Sequence, residues 1–249
     1  MRILLAAALI LMAGPVLADQ VADLIAGKIT ACRACDLQGA NFKKADLAGV
    51  DLTGANLTGA TFHRANLKGT ILTGVKAAKA NFNLADLTQA RMDGGDFSGA
   101  LFYGAQMSGA DLSAANLSEA RMQTARLTSA RLVGAVLDRA ALRDAVANSA
   151  DFTKASIVQT NLNGAHLGRS RFDGAKISYA GLVKAEASSA TFTGATIAFS
   201  DFFKADLRRA KMTGATLTGN RFTTAATGGV DFDKAQMKGN FMTDGRLQD

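Results

Sequence analysis

The sequence has 249 residues, 48% of them apolar and 20% charged, which describes a folded chain with room for a buried core and not a disordered one. Two Cys exclude a disulfide-dense scaffold or a four-Cys zinc site, and two His argue against His-rich metal chemistry. The formal charge of +7 raises the question of an acidic partner.

Residues 1–18 read MRILLAAALILMAGPVLA. Arg2 precedes an apolar run from Ile3 to Ala13, Gly14 and Pro15 break it, and Val16-Leu17-Ala18 supplies small residues at the spacing of a cleavage site. This is the pattern of a secretory signal peptide, with the cut expected after Ala18. The apolar run is too short for a membrane anchor, since a spanning helix needs about 20 residues. No other segment is long enough either, so no transmembrane segment is expected in the mature chain. Removal of Arg2 lowers the formal charge to +6, and removal of Pro15 leaves no proline. The expected location is the periplasm or the medium of a bacterium.

Residues 19–34 are expected to cap the long segment from residue 35 onward. Val21, Leu24, Ile25 and Ile29 fall at helical spacing, which predicts a short helix over 20–29. Cys32 and Cys35 come next, five residues before Leu37 and Ala40, the heads of two periodic series. Two readings stay open: small buried residues of a first coil, or a short-range disulfide in an oxidising compartment. Redox catalysis by Cys-x-x-Cys is disfavoured, because the surrounding βαβ pattern is missing.

From Leu37 to Leu247 every fifth residue is large and apolar; 39 of the 43 positions are Leu, Phe, Met or Ile. The exceptions are Ala77, Ala147, Ala187 and Thr227. A second series, two residues ahead, runs from Ala40 to Gly245 and holds 31 Ala in 42 positions. A period of five fits neither the helical 3.6 nor the strand period of 2. It requires a chain that turns once per five residues. Four such sides close a coil of twenty, with one large and one small side chain per side pointing inward. Residues twenty apart should then stack and match. Phe42, Phe62, Phe82 and Phe102 do so, as do Phe202 with Phe222, the set Phe152, Phe172 and Phe192, and the set Ile157, Ile177 and Ile197. Gly occupies 18 of the 42 turn positions, where positive φ is tolerated.

Ala45-Asp46-Leu47, Ala55-Asn56-Leu57, Ala65-Asn66-Leu67, Ala85-Asp86-Leu87, Ala110-Asp111-Leu112, Ala115-Asn116-Leu117 and Ala205-Asp206-Leu207 resemble the A(D/N)LXX motif of the pentapeptide-repeat family. The resemblance covers about residues 35–247, which places the repeat domain at 35–249, and implies an all-β fold: a right-handed quadrilateral parallel β-helix. A coil spacing of ~4.8 Å gives about ten coils and a rod of roughly 50 Å. Some family members mimic DNA and shield topoisomerases from quinolones. That role needs an acidic cytoplasmic rod, so a basic chain with an export signal argues against it, and no nucleic-acid partner is expected.

The outside of the rod carries the charge. One line of residues twenty apart, Arg91, Asp111, Arg131, Asp151 and Arg171, alternates in sign and predicts a salt-bridge ladder. Lys43, Lys44, His63 and Arg64 form one candidate basic patch, and Arg126, Arg169, Arg208 and Arg209 a second, partly offset by Glu186 and Asp206. Tyr179, Phe199 and Phe203 are expected to be outward, forming an apolar interaction candidate. At the far end Phe241 takes an outward place. Either an end-to-end homodimer through Phe241 and Met242, or the tail from Thr243 to Asp249 folding over the last coil, would cover that end.

No catalytic constellation appears. His63 sits among cations, His166 lies in line with Val146 and Glu186, and neither has a nucleophile and an acid in reach. Phosphate-loop, zinc and calcium signatures are missing, and no cofactor is expected. The sequence therefore predicts a non-enzymatic scaffold with an unidentified protein partner. The alternative is a binder of anionic polymer or membrane surface through the basic patches.

Overall fold

The structure, a computed structural model, describes residues 15–248. Of the leader expected at 1–18, residues 1–14 lie outside the described residues. Among the described residues there is a single helix, α1, over Pro15–Ile25. It starts ahead of the expected cleavage point and ends earlier than the helix predicted over 20–29. The early stop has a local cause. Gly27 adopts φ +67, its N–H donates to Leu24 O at 3.1 Å, and Lys28 N–H donates to Asp23 O at 2.9 Å. These two bonds are a Schellman cap, which satisfies the last carbonyls and turns the chain. Leu24 is fully buried against the first coil, with Val21 and Ile29 half-buried beside it.

Coiling begins at Ala31, which pairs in parallel with Asp51, and the pairing then repeats at a step of twenty as far as Arg221 with Phe241. Neighbouring coils exchange backbone bonds on both sides: Leu52 N–H donates to Ile71 O at 2.8 Å, and Asp51 N–H donates to Thr30 O at 2.9 Å. Between sides the chain makes a turn of type II. Ala55 N–H donates to Leu52 O at 2.9 Å, and Gly54 sits at φ +68.

The polar residue of the motif has a structural task in this turn. Asp51 Oδ1 accepts the Thr53 N–H at 2.9 Å, and Asp86 Oδ1 accepts the Thr88 N–H at 3.1 Å. Asp and Asn supply an acceptor two residues ahead, which is why they precede the large apolar residue so often. Asn at this place adds a bond between coils, as from Asn56 Nδ2 to Asp36 Oδ1 at 2.8 Å.

One side differs. β1 (Ser156–Val158), β2 (Lys176–Ser178), β3 (Thr196–Ala198), β4 (Thr216–Thr218) and β5 (Gln236–Lys238) form a continuous parallel sheet in register, with Ile157, Ile177, Ile197, Leu217 and Met237 aligned. The core runs the length of the coil. Phe42, Phe62, Phe82 and Phe102 stack with ring centroids 4.8–5.0 Å apart, and Phe152, Phe172 and Phe192 stack at 4.8 and 4.9 Å.

The far end departs from the sequence pattern. The repeat register predicts Leu247 as an inward residue, yet it is 53% exposed. β6 (Asn240–Phe241) pairs antiparallel with β7 (Leu247–Gln248), so the chain reverses at Asp244 and Gly245 instead of starting another coil. Gly245 at φ +81 makes the reversal, and Gly239 N–H donates to Gln248 O at 2.8 Å.

Candidate interaction surfaces

One side of the prism carries the strand residues Asn81, Leu101, Arg121, Ala141, Asn161, Gly181, Asp201, Arg221 and Phe241, each paired with the next. The corner on one edge holds Tyr179 and Phe199, and the corner on the other holds Leu84, Tyr103 and Phe203. Seven large apolar side chains are exposed among the described residues: Ile25, Leu84, Tyr103, Tyr179, Phe199, Phe241 and Leu247. Five of the seven border this side; the other two belong to the helix and the tail. The rings of Tyr179 and Phe199 stack at 5.2 Å, and they are 61% and 53% exposed. Gly219 makes room for Phe199, since a Cβ there would stand 2.7 Å from the ring. Phe203 is half-buried and lies on the opposite edge, with the Arg221 guanidinium 4.7 Å and Lys204 Nζ 5.1 Å from its ring. Arg221 is itself bonded to Asp201 through Nε at 2.7 Å.

Two shallow clefts of 580 and 590 Å³ indent the same side, and both are lined by Leu101, Arg121, Gln123 and Ala141. Arg121 is exposed and makes no ion pair among the described residues. Leu84, Tyr103 and Phe241 were legible as members of this surface only by following every outward line at a step of twenty.

Lys43, Lys44, His63 and Arg64 occupy the corner that Leu84 and Tyr103 continue. Lys44 N–H donates to His63 O and Arg64 N–H to Asn83 O, both at 3.0 Å, so their backbones are stacked neighbours. None of the four makes an ion pair among the described residues.

The second basic group is divided. Arg208 forms two bonds to Asp206, at 2.8 and 2.6 Å, and its guanidinium holds the Asp206 carboxyl below the usual carboxylate range. Arg126 sits in the strand line of a side, paired with Val146, while Arg169 and Arg209 share a corner. Glu186 is engaged by His166, Nδ1 to Oε2 at 2.7 Å. The expected charge ladder forms in part. Arg131 reaches Asp111 at 3.7 Å and Arg171 reaches Asp151 at 3.6 Å, whereas Arg91 turns to Asp93 at its own corner, 4.0 Å away.

Cys32 and Cys35 are bonded to each other, with Cα atoms 5.5 Å apart. Cys32 is buried and Cys35 half-buried. At the far end Phe241 is 48% exposed, and Met242 is half-buried against the last coil. Among the described residues there is no cluster of three or more His, Cys, Asp or Glu side chains placed to hold a metal, and no helix is long and apolar enough to cross a membrane.

The family model for pentapeptide repeats matches residues 35–74, 80–119, 120–157, 155–194, 182–219 and 200–248. The chain belongs to the pentapeptide-repeat family. Its fold is accordingly the right-handed quadrilateral β-helix of that family. Among solved structures it is similar to HetL, a pentapeptide-repeat protein involved in heterocyst differentiation regulation in the cyanobacterium Nostoc, at 27% identity and a TM-score of 0.80, covering 92% of this chain and 98% of HetL. QnrB1, a plasmid-mediated fluoroquinolone resistance protein, matches at 21% identity and a TM-score of 0.44, covering 70% of this chain and 88% of its own. A pentapeptide-repeat protein of the Arabidopsis thaliana thylakoid lumen matches at 29% identity and a TM-score of 0.26, covering 40% of this chain and 59% of its own. No curated protein matches the sequence. The pentapeptide repeat explains the inward residues and the turns. It leaves the outward lines free, and these distinguish one repeat rod from another.

Proposed function

We propose that this chain is a non-enzymatic scaffold that binds a protein partner along the side from Leu101 to Phe241. The observation that carries this reading is the concentration of five exposed apolar side chains on one side and its two edges. Tyr103 at a shallow cleft beside Arg121 and Arg143, with the stacked Tyr179 and Phe199 on the other edge, gives this side the composition of an interface core. The role of HetL in regulation is consistent with work done through contacts, not turnover. Site-specific photo-crosslinkers at Tyr103, Tyr179 and Phe199 test the proposal, with Thr153 and Thr193 on a distant corner as controls. A discrete adduct at the first three positions only is expected. Adducts at the controls alone, or at none of the five, overturn the proposal.

The proposed site of action is outside the cytoplasm. The leader pattern at 1–18 and the Cys32–Cys35 bond both favour an oxidising compartment. N-terminal sequencing of the protein from its native host should begin at Asp19, and a thiol titration without reductant should find no free thiol. A start at Met1 with two free thiols contradicts this.

A second reading, binding of anionic polymer or membrane surface, is favoured by one observation: Lys43, Lys44 and Arg64 share a corner without a counter-charge. Retention on an anionic resin should fall when all three are changed to Glu, and unchanged retention removes it.

A further inference from the structure

Arg169 and Arg209 stand on one corner with Ser189 between them, two coil steps apart or ~10 Å along the rod. With Ser149, Gly168 and Ser188 they line a cleft of 270 Å³. We propose that this cleft binds a tetrahedral oxyanion, a phosphate group.

Three features point there. The first is charge. Neither arginine forms an ion pair among the described residues, and no carboxylate lines the cleft. The two nearby acids are engaged elsewhere: Asp206 is bonded to Arg208 and Glu186 to His166. Asp206 is close enough to Arg209 to feel its charge, yet its bonds go to Arg208.

The second feature is donor geometry. The hydroxyls of Ser149, Ser188 and Ser189 have no partner within the described protein, so they are free to donate, and each guanidinium offers five N–H groups. Donors arrive from both ends of the cleft. A planar carboxylate is satisfied by one arginine fork. A group with oxygens pointing in four directions can use both arginines and the hydroxyls between them.

The third is space. Gly168 holds a place in the turn that carries a side chain in every other repeat but the one at Gly228. Its φ is not in the left-handed region, so the backbone does not demand glycine. A Cβ there would project beside Asn148 Oδ1, 3.1 Å away, and would narrow the cleft floor. The small volume suits a single phosphate group, not a polymer strand or a protein surface. This site does not depend on the aromatic side.

Titration with inorganic phosphate, followed by amide shifts of Gly168, Ser188 and Ser189 in solution at constant ionic strength, tests the proposal. Glycerol 3-phosphate is the second probe, and it separates an esterified phosphate from the free ion. Saturable shifts confined to this corner are expected with one or both probes. Arg169→Gln and Arg209→Gln should each weaken binding about tenfold or more, the size of a lost charge-assisted bond. Gly168→Ser should weaken it as well. All three changes are at the surface, and an unchanged melting temperature without phosphate establishes that the fold is intact. Linear, unsaturated shifts spread over every basic corner, or saturable binding that survives Arg169→Gln and Arg209→Gln together, overturn the proposal.

Discussion

At the scale of single residues, the turn sets the terms. Every fifth place from Gly39 to Gly239 has positive φ; 18 of these are Gly and the rest are side-chain-bearing residues such as Ala114 at φ 55 and Phe199 at φ 50. The left-handed conformation costs an L-residue about 1–2 kcal/mol, and glycine loses about 0.4–1 kcal/mol more backbone entropy on folding. The balance favours glycine here, which inverts the usual order of Ala over Gly. Ala114→Gly should therefore stabilise the protein by about 0.5 kcal/mol. Gly54→Ala should destabilise it by a similar amount, since a Cβ at Gly54 meets nothing within 4 Å and only the backbone is strained. Urea denaturation of both variants checks the pair of signs. The glycines made the turn legible in the sequence. The same demand at Ala114 was hidden, because an ordinary residue does not announce its φ. Gly95 is not one of these turn glycines. It stands in the inward series with a φ outside the left-handed region, and a Cβ would lie 2.5 Å from the Phe97 ring, which has turned into that space toward Phe82 and Phe102.

Asp51 adds a pH dependence at the same scale. The Thr53 hydroxyl, then the Thr53 N–H and Arg33, hold its carboxyl down to about 2 from an ordinary value of 3.8. A depressed carboxylate stabilises the folded state above its unfolded pKa and loses that contribution as pH falls through its folded pKa. The contribution of Asp51 is thus complete above pH 3.8 and gone near pH 2. Thr53→Ala removes the largest cause and should lower the melting temperature at neutral pH. The gap to the parent protein should close as the pH approaches 2. Parallel melts across that range give the answer, and a gap independent of pH would mean that Thr53 acts through packing alone.

At the scale of elements, the side formed by β1 to β5 replaces a turn bond with a chain of buried side chains. Thr160, Ser200, Asn220 and Asn240 occupy inward places of a series that is mostly Ala, and all four are buried. Ser200 Oγ accepts the Ala180 N–H at 3.2 Å, Asn220 Oδ1 accepts the Ser200 N–H at 2.9 Å, and Asn240 Oδ1 accepts the Asn220 N–H at 2.9 Å. Asn220 Nδ2 and Asn240 Nδ2 return bonds to Ile197 O and Leu217 O one coil back, at 2.8 and 2.9 Å. In the sequence these residues look like failures of the Ala series. In the fold Ser200, Asn220 and Asn240 are the acceptors that this side needs in place of the i to i+3 bond, while the Thr160 hydroxyl donates to Leu137 O one coil back. Asn220→Ala leaves the Ser200 N–H buried without its acceptor, at about 1–3 kcal/mol, and also removes the bond to Ile197 O. A loss of at least about 2 kcal/mol in urea denaturation is expected. A change below about 0.5 kcal/mol, the range of a surface substitution, would assign the strand geometry to the Ile157, Ile177 and Ile197 ladder alone. The stacking of large residues was legible because it repeats at twenty. Register could not reveal where it stops, because Leu247 keeps the spacing and the chain leaves the coil at Gly245.

At the scale of the whole molecule, the two ends are unequal. Each coil touches only its neighbours, so opening of a repeat rod starts where an end coil has least to lose. At the start Leu24 is fully buried over the first coil, and the Cys32–Cys35 bond ties the entry. At the finish Val230, Phe232, Met237 and Met242 are only half-buried, and Phe241 and Leu247 are exposed. Coils between them bury every large inward side chain from Leu37 to Phe222 to within a few per cent. Hydrogen exchange should therefore be fastest from Val230 to Gln248, slowest through the Phe82–Phe192 region, and intermediate near Cys32. Exchange of equal rate at both ends would contradict the asymmetry. The same measurement decides the end-to-end dimer. A dimer through Phe241 and Met242 covers the half-open coil, so protection of the Phe222, Phe241 and Met242 amides must rise with protein concentration. Protection independent of concentration leaves the β6–β7 hairpin as the cover of that end and removes the dimer.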